Sequence, residues 1–121
     1  MKMLIGGKWI DKKETIEVRD PYDDSLVDTV PSGTAEDVKA AVDAAAEGFR
    51  TSRNLPVHER IRILNAAASY IESRQEEYAR VIAREGSKTI REARKEASRC
   101  VDTVRISAEE ARRLQGETIP F

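Results

Sequence analysis

"VIAREGSKTIREARKEA", Val81–Ala97, closes one helix at a glycine and opens another within a few residues. Gly86 sits where a helix C-terminus often turns left-handed, a conformation that costs little without a Cβ. Thr89, followed three residues on by Glu92, has the capping-box pattern, in which hydroxyl and carboxylate satisfy the free amides of a new helix. Glu85, Ser87 and Lys88 fill the joint. An anion could meet the free amides of Ser87, Lys88 and Thr89 beside the lysine charge. A corner capping two helices explains the same residues more simply, and the glycine spacing of a P-loop or dinucleotide fingerprint is missing.

Working back from the joint, Tyr78, Val81 and Ile82 predict the buried face of a helix that Ser73 and Glu76 cap at its start and Gly86 ends. A second helix begins at Pro56, carries Ile61, Leu64, Ala68 and Ile71 on one stripe, and ends near Glu72. Thr34, with Asp37 three residues on, predicts the start of a first helix from about Ala35 to Arg50, with Val38, Ala41, Val42, Ala45 and Phe49 lining one face. Working forward, Ile90, Ala93, Ala97, Cys100, Val101, Val104, Ala108, Ala111 and Leu114 share one broad face before Gly116. The alanines allow a neighbouring helix to approach closely.

The beginning of the chain has a different period. Gly6-Gly7 between Leu4-Ile5 and Trp9-Ile10 reads as a hairpin turn, and Ile16 and Val18 alternate with polar neighbours before Pro21. A turn rich in Asp and Ser precedes Leu26, Val27 and Val30. The fold class expected is mainly α with an N-terminal antiparallel β-hairpin unit. Residues 1–33 form the β unit, 34–116 a four-helix segment, and 117–121, "ETIPF" from Glu117, the start of a truncated strand.

Of 121 residues, 21 are basic and 22 acidic, with a net charge of −1 and no single-sign block. That argues against a nucleic-acid arm or a membrane-surface patch, both of which need clustered basic charge. No apolar run approaches the ~20 residues that span a bilayer. One cysteine makes no internal disulfide, and the opening residues have no signal-peptide pattern, so a cytoplasmic protein is expected.

Chemistry is sparse. Cys100 is the only thiol and His58 the only imidazole. Cys100 reads as a small buried hydrophobe on a helix face and His58 as an exposed first-turn residue, since a reactive thiol needs an exposed, electropositive setting. One Cys and one His make no tetrahedral zinc site. The adjacent pairs Asp23-Asp24, Glu76-Glu77 and Glu109-Glu110 point in different directions and read as solvated surface.

Taken together, "LIGGKWI", "EVRDPYDDSLVDTVPSGTAEDVKAAVDAAAEGF" and "LPVHERIRILNAAASYIESRQEEYARVIAREGSKTIREARKEA" resemble, in order, the N-terminal segment of the NAD(P)-dependent aldehyde dehydrogenase superfamily. "EGSKTIREA" corresponds to that family's Glu-x-Gly-Lys-Pro segment, with Ser87 and Thr89 where Gly and Pro are usual and Asp20 where Asn usually precedes Pro21. The variant is similar to the branch acting on lactaldehyde or, without phosphorylation, on glyceraldehyde 3-phosphate.

The resemblance implies the N-terminal portion of an α/β fold whose full enzyme oxidises an aldehyde to a carboxylate with NAD or NADP. The family's cysteine nucleophile, glutamate, oxyanion-binding asparagine and nucleotide-binding strands have no counterpart in these residues. No catalytic or cofactor-binding residue is carried over, and no cofactor is expected for this chain alone. Residues 34–116 would pack on the cofactor domain, the remainder of the subunit being the partner. Some relatives hold a structural monovalent cation, whose ligands here would be the Val18 carbonyl and Glu85. The competing reading is a non-catalytic helical assembly or binding module, with self-association covering its apolar faces. Neither reading includes a nucleic-acid or membrane partner.

Overall fold

The computed structural model describes residues 1–114, 116 and 119. Four strands precede the helices: β1 (Met3–Ile5), β2 (Lys8–Ile10), β3 (Thr15–Arg19) and β4 (Leu26–Pro31). The helices are α1 (Ala35–Ser52), α2 (Val57–Ser73), α3 (Gln75–Gly86) and α4 (Ile90–Glu110), with a 3-10 turn over Ala111–Arg113. The chain is therefore mainly α with an antiparallel N-terminal β unit, as expected. Most of the strand expected over 117–121 lies outside the described residues.

The chain divides into two compact units, one of residues 1–54 and 82–87, the other of residues 55–81 and everything from Lys88 onward. In the first, β1 and β2 form a hairpin pairing Met3 with Ile10 and Ile5 with Lys8. Gly6 and Gly7 turn it with φ of 55° and 77°, values that any Cβ makes costly. β3 and β4 form a separate two-stranded ribbon, with a bulge between Val18 and Arg19. Its turn is held by local hydrogen bonds: Asp20 Oδ1 accepts from the Tyr22 amide and Asp23 Oδ1 from the Ser25 amide.

α1 starts with the anticipated capping box, in which Thr34 Oγ1 accepts from the Asp37 amide and Asp37 Oδ2 accepts from the Thr34 amide. Lys12, after the first hairpin, reaches the same carboxylate at 2.7 Å and ties hairpin to helix. A Cβ on Gly6 would lie 3.3 Å from the Ala44 Cβ, so the hairpin turn also approaches α1 closely.

The second unit is built on α2 against α4. Its buried residues are small: Ala68, Ala79, Ala93, Ala97, Val101 and Ala108. Alanine at the contact brings helix backbones together, so this core gains from dispersion between close main chains more than from large side chains. Ion pairs stitch its rim, Arg94 to Glu76 at 2.8 Å and Arg105 to Glu72 at 2.5 Å.

Three sequence expectations are corrected, and one apolar face lacks a cover: Val38, Val42 and Phe49 on α1 are each about three-fifths exposed, and α1 contains no buried residue. Periodicity shows which face of a helix is apolar but not whether anything in the same chain covers it. In α3 the buried residue is Ala79, with Ile82 half-buried and Tyr78 and Val81 exposed. Ser73 does not cap α3. Its hydroxyl donates to the Tyr70 carbonyl inside α2, and Glu76 pairs with Arg94 instead. Gly86 stays helical, and the left-handed residue is Ser87, φ 49°.

Candidate functional site

The joint between α3 and α4 is assembled from local parts. Ser87 takes the left-handed turn at the end of α3. Two residues later Thr89 caps α4: its hydroxyl accepts from the Glu92 amide, and the Glu92 carboxylate accepts from the Thr89 amide at 3.3 Å. The Lys88 ammonium is engaged by Glu96, one turn further along α4. That hydrogen bond holds the Glu96 carboxyl below its usual range, with the Lys88 and Arg99 charges adding to it. An anion would have to displace Glu92 from an amide and Glu96 from the lysine. The joint is a helix corner in which the Thr89 amide and the Lys88 ammonium are already taken by carboxylates of the same chain.

The two residues proposed as cation ligands both belong to the first unit. Val18 is half-buried beside the β3–β4 bulge, and Glu85 is exposed near the end of α3. The neighbouring Arg84 acts on Asp23 of the β3–β4 turn, whose carboxyl is lowered mainly by hydrogen bonds from Ser25 and slightly by that arginine. Among the described residues no three His, Cys, Asp or Glu side chains gather as a metal cluster. One carbonyl and one carboxylate supply only part of the ~6 oxygens that a hard cation such as calcium takes.

Cys100, expected to be buried, is exposed. It borders a shallow surface cavity of about 410 Å³ with Glu96, Arg99, Thr103 and Val104. It lies at the margin of the α4 stripe, where a helical turn of 3.6 residues carries it off the line of Ala93, Ala97, Val101 and Ala108. His58 is in the exposed first turn of α2, as anticipated, and its Nε2 lies 3.8 Å from Glu59. No hydrogen bond joins it to Cys100 among the described residues. A thiol without a base or helix N-terminus to stabilise its thiolate has no activated-nucleophile geometry.

The carboxylate pairs are surface groups, as expected, and most are engaged. Asp24 meets Arg19 at 3.5 Å, Glu77 pairs with Arg74, and Glu110 meets Arg113 at 2.9 Å. Glu76 takes both Arg80 and Arg94, and its carboxyl is lowered chiefly by the Arg94 hydrogen bonds. Between α2 and α4 a cavity of about 270 Å³ is floored by Ile61 and Ala108 and rimmed by Asn65, Arg105, Glu109 and Arg112. Its rim mixes both charges and holds no nucleophile. Lys12 with Asp37 was not foreseen from the sequence, because no local pattern links a loop lysine to a helix cap far along the chain.

Among the described residues no nucleophile is paired with a base, and the chain's kinship carries the functional argument. Residues 9–121 match the aldehyde dehydrogenase family. The chain belongs to that family. It is 47% identical over 106 residues to an aldehyde-dehydrogenase-like protein of Sinorhizobium fredii, covering 88% of this chain and 21% of that protein. It is 43% identical over 106 residues to aspartate-semialdehyde dehydrogenase 1 of Pseudomonas canavaninivorans, covering 88% of this chain and 23% of the relative. The fold agrees with the lactaldehyde dehydrogenase of Escherichia coli at a TM-score of 0.93 and 31% identity, over 99% of this chain and 26% of that one. The chain thus spans about a fifth to a quarter of the relatives' lengths.

Proposed function

We propose that this chain is the N-terminal portion of an aldehyde-oxidising subunit working in the cytoplasm, and that its residues build the enzyme rather than perform its reaction. The observation that carries the reading is the match along nearly the whole chain to about a quarter of each relative, combined with a lone thiol that has no base. In the whole subunit NAD or NADP supplies the hydride acceptor. These residues do not form its site, since no glycine fingerprint follows a strand and opens a helix.

Residues 1–33 contribute the hairpin and ribbon, and residues 34–116 a helical layer packed on the cofactor domain, with the remainder of the subunit as partner. The relatives' names, an aspartate semialdehyde and a lactaldehyde dehydrogenase, support a small aldehyde bearing a carboxyl or hydroxyl group as substrate. A monovalent cation held by the Val18 carbonyl, the Glu85 carboxylate and water would brace the first unit. The open stripe on α1 favours a second reading, a non-catalytic assembly module, in which the same helices serve only to associate.

Absorbance of reduced cofactor, with NAD or NADP and a panel of short aldehydes, tests the proposal. The chain alone should give no turnover. Co-expressed with a relative lacking its own N-terminal quarter, it should restore that relative's activity. Turnover by the chain alone, or a folded partner left inactive, would overturn the reading.

A further inference from the structure

We draw no further inference here: the strongest candidate, the cavity between α2 and α4 rimmed by Asn65, Arg105, Glu109 and Arg112, carries nothing, because those four side chains are exposed and of mixed charge and nothing in the structure shows what covers it.

Discussion

Replacing Ser87 by glycine should stabilise the chain, although nothing in the sequence marks Ser87 as strained. Its φ of 49° places an L-residue in the left-handed region, where Cβ crowds the following carbonyl. That crowding costs about 1–2 kcal/mol, and glycine removes it. Glycine also enlarges the unfolded ensemble, which offsets about 0.4–1 kcal/mol. The net expectation is a gain of about 0.5–1 kcal/mol. For a domain of this size 1 kcal/mol moves Tm by about 4 °C, so Ser87→Gly should raise Tm by about 2–4 °C. Ser87→Val should lower it by a similar amount or more, because a β-branched residue is least tolerant of positive φ. The companion variant is Gly86→Ala. Gly86 is helical here, so alanine should gain about 0.5–1 kcal/mol of helix propensity. If the left-handed residue were Gly86 instead, that substitution would lose about 1–2 kcal/mol. Thermal melts by circular dichroism at one fixed protein concentration separate the two. Destabilisation by both Ser87→Gly and Gly86→Ala would refute the placement of the turn.

The alanine core should resist change in both directions: Val101→Ala removes two buried carbons and should cost about 2 kcal/mol, while Ala97→Leu should cost about 1–3 kcal/mol by forcing α2 and α4 apart, both read by urea denaturation. Acid should weaken the chain through carboxyls that partners hold low, chiefly Asp37 by Lys12, Glu76 by Arg94 and Glu96 by Lys88. Because their folded values lie below the unfolded ones, the stability they add is complete above about pH 4–5 and is lost as pH falls through the depressed values. Melts across that range should show the loss, and Lys12→Met with Arg94→Met should flatten it. If Glu85 helps to hold a cation, Tm should be higher in potassium or sodium chloride than in choline chloride, and Glu85→Gln should abolish the difference; equal melting of the parent chain in all three salts would rule the cation out.

Local chemistry was the most legible part of this molecule. The capping boxes at Thr34 and Thr89 depend on residues three apart, and the Gly6-Gly7 hairpin on adjacent ones, so a short window contains all that decides them. The stripe of α2, Ile61, Leu64, Ala68 and Ile71, was legible for a similar reason, since its partner α4 lies in the same unit. Ser73 shows where the same rule misleads: its hydroxyl had a carbonyl within its own helix, and Glu76 had an arginine on α4. Cys100 was misread because apolar faces are broad and its place at the margin depends on how α4 is rotated against its neighbour. The joint was legible as a corner, but whether Lys88 was free for an anion turned on Glu96, which no motif singled out.

Sequence by itself determined the order of elements, the helix starts and the family, because those rest on local propensity and on residues kept in a collinear pattern. Tertiary structure decided which apolar residues are covered. It showed an alanine seam between α2 and α4, a lysine just after the first hairpin closing the cap of α1, and an α1 stripe left in solvent. Burial is a property of pairs of surfaces. A single helix can announce that it has an apolar face, but only the packed chain shows whether that face has found its complement.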